Sequence, residues 1–145
     1  MIRPYTPNDT KELVEVLTLN IPTYFDPKEI YDFKNYLTTY GSTYFTIESD
    51  QIIIGGVGYN ILEEKNVGQI TWIFFHPDYA GKGFGKRAVT HCLSILKSNS
   101  EIKKVTVRTS QLAYSFFEKF GFTLKRIEKD YWGLGLDLYE MELKI

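Results

Sequence analysis

Cysteine and histidine are scarce in this sequence, which has Cys92 alone of the one type and only His76 and His91 of the other. A lone cysteine cannot close an internal disulfide, so a reducing cytoplasm is the expected location. Three such residues are too few for a zinc site, and no metal is expected. An excess of one charge is also lacking. The 17 basic and 18 acidic residues leave a formal charge of −1, without the basic surplus of proteins that coat nucleic acid, so no nucleic-acid partner is expected. No apolar run approaches the roughly 20 residues that cross a membrane. Arg3, Asp9, Lys11, Glu12 and Glu15 interrupt the opening segment, leaving no apolar core for a signal peptide, and no membrane partner is expected. Repeats, low-complexity tracts and linkers are missing too. A chain of 145 residues therefore reads as one domain over 1–145, long enough to bury about two-thirds of its unfolded surface.

What the sequence has is aromatic residues and clear punctuation. Met1 to Arg3 reads as an edge strand. Thr6-Pro7-Asn8-Asp9 has an N-cap, a proline at the first helical position and an acid at the third, a helix start. Leu13, Val14, Val16 and Leu17 supply that helix's apolar stripe. Asp26-Pro27-Lys28-Glu29 repeats the start signal, Ile30, Phe33, Tyr36 and Leu37 keep helical spacing, and Gly41 ends the run. Strands follow over Thr43–Glu48, Gln51–Asn60 and Val67–Phe75, with turns at Ser49-Asp50 and Glu63-Glu64-Lys65-Asn66. Gly55, Gly56 and Gly58 predict a bulge or a close backbone contact in the second of these. A helix then runs from the glycine turn to about Lys97, with Phe84, Ala88, Cys92, Ile95 and Leu96 inward. A strand at Ile102–Arg108, a short helix at Gln111–Phe120 capped by Gly121, and strands at Phe122–Lys129 and Leu136–Lys144 complete the chain. The order β-α-α-β-β-β-α-β-α-β-β predicts an α/β (α+β) fold, a central mixed sheet with helices on both faces.

The stretch Gly81-Lys82-Gly83-Phe84-Gly85-Lys86 lies between a strand and a helix. The first N–H groups of a helix have no intrahelical partner, and glycines let an anion approach them. A Walker loop would need Ser or Thr after Gly-Lys, and a dinucleotide fingerprint would need G-x-G-x-x-G. Neither is present. By itself the turn indicates only an anion-binding helix start.

His76-Pro77-Asp78-Tyr79-Ala80-Gly81-Lys82-Gly83-Phe84-Gly85-Lys86 resembles the main motif of the GNAT superfamily of N-acetyltransferases, Arg/Gln-x-x-Gly-x-Gly/Ala after a strand. Ala113-Tyr114-Ser115-Phe116-Phe117-Glu118-Lys119-Phe120-Gly121-Phe122 resembles its second motif, and Gly135 to Leu143 its closing strand. The resemblance implies an acetyl-CoA-dependent N-acetyltransferase, with acetyl-CoA as co-substrate and a small-molecule or peptide amine as acceptor. It places the pyrophosphate on Gly81, Lys82, Gly83, Phe84, Gly85 and Lys86, and the pantetheine arm beside Ile73, Phe74 and Phe75. Gln111, Tyr114 and Phe117 would line the arm's other side.

Two positions depart from the family pattern. Ala80 stands where an Arg or Gln anchor is usual. Phe117 stands where a tyrosine often protonates the departing thiol, so Tyr114, one turn earlier, is the candidate replacement or else an aromatic core residue. A thiol of pKa about 8.5 is in any case a tolerable leaving group. The expected chemistry is direct attack by a neutral amine, with a strand N–H near Phe74 or Phe75 stabilising the oxyanion. The base is left open among His76, Asp78, Asp26, Glu29 and Asp137. Cys92, inside an apolar helix, reads as core and not as a nucleophile. The aromatic segments holding Tyr24, Phe25 and Asp26, and Trp132, would bind a cationic acceptor or else plug the sheet ends or form a dimer surface, so a homodimer stays open. The other reading is a catalytically idle acyl-CoA-binding module.

Overall fold

A computed structural model describes residues 1–62 and 66–145; Glu63, Glu64 and Lys65 of the expected turn lie outside the described residues. In chain order the elements are β1 (Ile2–Pro4), α1 (Thr10–Thr18), α2 (Glu29–Tyr40), β2 (Tyr44–Ser49), β3 (Ile52–Leu62), β4 (Val67–Phe75), α3 (Phe84–Lys97), β5 (Lys104–Thr109), α4 (Tyr114–Glu118), β6 (Thr123–Gly133) and β7 (Leu136–Lys144). The strands form one mixed sheet in the order β1-β2-β3-β4-β5-β7-β6. Among the described residues only β4 and β5 pair in parallel, and every other pair is antiparallel.

The two faces are covered by different helices. Ala88, Val89, Cys92, Leu93 and Leu96 of α3 pack with Phe117 of α4 on Ile54, Val57, Ile70, Val105, Val107 and Met141. Leu13, Val16 and Leu17 of α1 and Phe33 and Leu37 of α2 pack with Tyr44 and Phe74 on the other face. The expected inward residue Ile95 is only half-buried, while Val89 and Leu93 are buried in its stead. The chain's first helical turn is a short 3-10 segment at Pro7–Asp9, ahead of α1. Arg3 fixes it to β1 through a two-pronged pair with Asp9, at 2.8 and 2.9 Å, which holds the Asp9 carboxyl down at about 2.

Most elements lie within two residues of their expected bounds, and two differ by more. The helix expected over Gln111–Phe120 shrinks to Tyr114–Glu118, because Ser110 to Ala113 form a turn in which Ser110 Oγ accepts the Leu112 N–H. The strand expected to end at Lys129 runs on to Gly133, and a register irregularity between Glu128 and Gly133, with Asp130 at φ 54°, absorbs the extra length.

A bulge in β4 sets the geometry that matters for function. Gly56 pairs with Phe74 and Gly58 with Thr71, so Trp72 and Ile73 oppose the single residue Val57. Trp72 takes up the excess at φ 45°. The extra residue also switches sides: Ile70 packs under α3 whereas Phe74, four positions on, packs under α1 and α2. Tyr44 holds the bulge, its buried hydroxyl donating to the Trp72 carbonyl at 2.7 Å. Its ring lies so close over β3 that a Cβ on Gly58 would sit 2.6 Å from Tyr44 Cδ1, the close contact that the glycines predicted. Beyond the bulge β4 leaves its parallel neighbour. Pairing with β5 stops at Ile70 and Val107, although β4 continues to Phe75 and β5 to Thr109. The two strands splay into a V.

Candidate active site

A cleft of about 820 Å³ enters the sheet at this splay. One end is walled by Ile73, Phe74 and Phe75 of β4, by Gly81, Gly83, Phe84, Gly85 and Lys86 of the turn into α3, and by Phe117 of α4. The other end is walled by Tyr24, Phe25 and Glu29 from the α1–α2 segment, Tyr36, Trp72, Arg108 and Trp132.

At the first end the backbone offers donors. Gly81 and Gly83 have φ of 76° and 84°, and a Cβ on either would meet nothing within 4 Å. These glycines are needed for their conformation, and the space above them is open. The first α-helical bond of α3 runs from the Arg87 N–H to the Gly83 carbonyl, so the amides before it have no helical partner and carry the positive end of the helix dipole. Lys86 lines the same end. Along β4 the His76 N–H bonds to the Ile54 carbonyl on β3. Alternation then turns the Phe75 N–H to the opposite side, into the splay, where no strand of the described residues pairs with it. The Phe75 carbonyl takes the Nδ2 of Asn20 at 3.0 Å. Asn20 is buried and also donates to the Val16 carbonyl, so it ties the end of α1 to the β4 edge. Only its polarity at a helix end could have signalled this.

At the second end the electrostatics centre on Glu29. This residue is 5% exposed, and its Oε2 accepts the Asp26 N–H at 2.8 Å, closing the capping box that the sequence announced. Burial, with Asp26 and Asp32 nearby, pushes its carboxyl up to about 7 against the stabilising backbone bond. Phe25 stacks on Trp72 at 6.2 Å, and Phe33 packs on both Trp72 and Phe74, giving Glu29 an apolar frame. Tyr36 sets its hydroxyl 2.6 Å from Thr71 Oγ1, and burial raises it to about 12. The α1–α2 segment meets the β6–β7 hairpin where Gly133 lies against the Asp26 carboxylate, too close for a Cβ. Trp132 is fixed by its indole N–H on the Thr109 carbonyl, 3.0 Å.

Several residues singled out from the sequence lie elsewhere. Tyr114 is not on the cleft wall; its ring packs on Tyr139 at 4.9 Å, the aromatic-core alternative. Gln111 is not on the wall because the shortened helix leaves it in the preceding turn, where it donates to the Gly135 carbonyl and accepts the Asp137 N–H. Lys82 swings away to lie 5.3 Å over the Tyr79 ring. Asp26 caps α2, with Oδ2 accepting the Lys28 N–H, and does not line the cleft. Among the other candidate bases, Asp78 is solvent-facing and Asp137 accepts the Asp130 N–H within the hairpin. His76 lines the cleft with Nδ1 occupied by the Asp78 N–H. Cys92 is fully buried, and burial pushes its thiol up to about 12, leaving no thiolate for a covalent route. Arg108 was not foreseen: a single arginine in a strand has no distinguishing pattern.

The fold agrees with comparison to known proteins. Residues 11–122 match the model of the acetyltransferase (GNAT) family. Ard1 from Thermoplasma volcanium superposes with a TM-score of 0.83 at 14% identity, over 100% of this chain and 97% of that one. The ribosomal-protein-S18-alanine N-acetyltransferase of Escherichia coli gives 0.80 at 16%, over 100% and 93%. An aminoglycoside 6'-N-acetyltransferase complexed with coenzyme A gives 0.76 at 11%, over 99% and 96%. No curated protein sequence matches the chain closely enough to count as a relative. The splayed β4–β5 pair, the glycine turn into α3 and the family match lead to one conclusion: this chain belongs to the GNAT family and is an acetyltransferase.

Proposed function

We propose that the chain moves the acetyl group of acetyl-CoA directly to the primary amine of a small molecule or peptide. The observation that carries this is the placement of a buried carboxyl near pKa 7, Glu29, on the same cleft as the free β4 edge and the α3 N-terminus. The amides of Gly83 to Lys86 hold the pyrophosphate of the co-substrate, and the open edge of β4 from Ile73 to Phe75 aligns its arm. Acetyl-CoA supplies the thioester carbon that the amine attacks. Glu29 takes the proton that an ammonium must lose, and a group poised near neutral pH suits that task. The Phe75 N–H, directed into the splay, donates to the developing oxyanion. No tyrosine hydroxyl stands at Phe117, and Tyr114 is turned to Tyr139, so coenzyme A leaves as the thiolate. Tyr24, Phe25, Trp72 and Trp132 form the aromatic surround for the acceptor.

The missing acid at Phe117 also favours a second reading, an acyl-CoA-binding module without turnover. Thiol release from acetyl-CoA across a panel of amines separates the two. Amine-dependent release that Glu29→Gln abolishes supports the enzyme. Coenzyme A binding without release from any amine leaves the module.

A further inference from the structure

We propose that the acceptor amine carries a carboxylate, and that Arg108 receives it. This rests on the acyl-transfer reading above and names the substrate class for the same cleft. Along β5 the buried residues Val105 and Val107 point into the core under α3, so alternation raises Arg108 on the opposite face, at the mouth of the splay. Four charged or titrating groups other than tyrosines stand on the cleft wall among the described residues: Glu29, His76, Lys86 and Arg108. Lys86 belongs to the α3 N-terminus and His76 to the turn beyond β4. Glu29, at the start of α2, and Arg108, on β5, are left to the acceptor end. If the amine goes to Glu29, the guanidinium on the same cleft is matched by an anion on the same molecule.

Arg108 is also shaped for that task. Its guanidinium lies over Tyr131 at 4.9 Å and over Trp132 at 5.7 Å, and Nη2 donates to Tyr131 Oη at 2.7 Å. The aromatic seat orients the fork in advance, so little side-chain freedom remains to be lost on binding. Its nearest carboxylate does not occupy it. Glu140 Oε2 is 3.9 Å from Nε, beyond hydrogen-bond reach, and lies closer to Arg126, at 3.3 Å. Nε, Nη1 and the second hydrogen of Nη2 therefore have no acceptor on a neighbouring side chain among the described residues, so one of the two forked edges, each of which includes Nη2, stays open. A held guanidinium with a free edge pairs with a carboxylate through parallel hydrogen bonds, geometry that a neutral amide or ester does not reproduce. The carboxylate can come from a free amino acid or from an acidic first residue of a peptide.

The test is thiol release from acetyl-CoA with amino acids beside their carboxamides and methyl esters, and with tripeptides beginning with Asp beside those beginning with Asn. The expected result is an acid-over-amide preference in kcat/KM of about tenfold or more, carried by KM, in one of the two series. That series then identifies the source of the carboxylate. Arg108→Gln is expected to cut the acid-to-amide ratio by about 10- to 100-fold, and Arg108→Lys to restore part of it. A melting curve for each variant shows that it is folded. Equal use of acid and amide by the wild-type protein overturns the proposal, as does an Arg108→Gln variant that loses both in proportion, for then the arginine only props the hairpin. Failure of every amine to give release overturns the acyl-transfer reading itself, a result distinct from either of these.

Discussion

Replacing Glu29 with Gln removes a titrating group while keeping a side chain able to serve the capping box, since Gln Oε1 can accept the Asp26 N–H. The substitution therefore separates chemistry from architecture. In the folded protein the Glu29 carboxyl stands at about 7 against 4.5 for the free group. The folded state thus binds this proton more tightly than the unfolded chain. Its stabilising effect is complete below about pH 4.5, declines as pH rises, and is lost above about pH 7. The gap corresponds to about 3 kcal/mol. Urea unfolding should show the wild-type protein losing roughly that much between pH 5 and 8. Glu29→Gln, neutral throughout, should lose far less and be the more stable of the two at pH 8. Turnover should move the opposite way. Wild-type kcat should fall on the acid side of about pH 7 as the base protonates, whereas the variant should be down by about 10²–10⁴ and lack that limb. A variant that keeps more than a tenth of the activity and the same acid limb would refute the assignment and point to another base, with His76 next.

Tyr44→Phe should leave the Trp72 carbonyl without its buried donor and cost about 1–3 kcal/mol in denaturant unfolding, with weaker coenzyme A binding by calorimetry as the bulge relaxes. Unchanged stability would mean that the bulge does not depend on that hydroxyl. Tyr114→Phe should leave kcat within about twofold of wild type across the pH profile, because the hydroxyl lies outside the cleft wall; a loss on the order of 10² would restore it as the acid for the leaving thiol.

Most of the fold could be read from local signals. Thr6-Pro7-Asn8-Asp9 and Asp26-Pro27-Lys28-Glu29 start helical turns where their capping chemistry places them, and Val67–Phe75 and Leu136–Lys144 have the extents that their composition predicts. The three glycines of β3 announced a close approach, but not its partners, because Tyr44 reaches Gly56 and Gly58, and Phe74 and Phe75 reach Gly55, through sheet pairing and not through sequence proximity. The cleft wall was legible where backbone carries it, at Gly81, Gly83, Phe84 and Gly85 and along Ile73 to Phe75. It was less so where side-chain direction decides. Tyr114 and Gln111 were expected on the cleft as members of one helix, and the turn at Ser110 to Ala113 changes the direction of both. Glu29 was one of five equivalent carboxylates and imidazoles until burial distinguished it. Arg108 and Asn20 act through neighbours far along the chain, Tyr131 and Phe75, which no spacing pattern encodes.

We propose that coenzyme A lies in the β4–β5 splay with its phosphates on the α3 N-terminus. Amide hydrogen exchange with and without coenzyme A tests it most directly. Slowed exchange is expected at Phe75 and across Gly83 to Lys86, where the amides have no partner in the helix or the β5 strand, with α1 and β6 unchanged. Protection confined to other segments, or none at saturating coenzyme A, would contradict it.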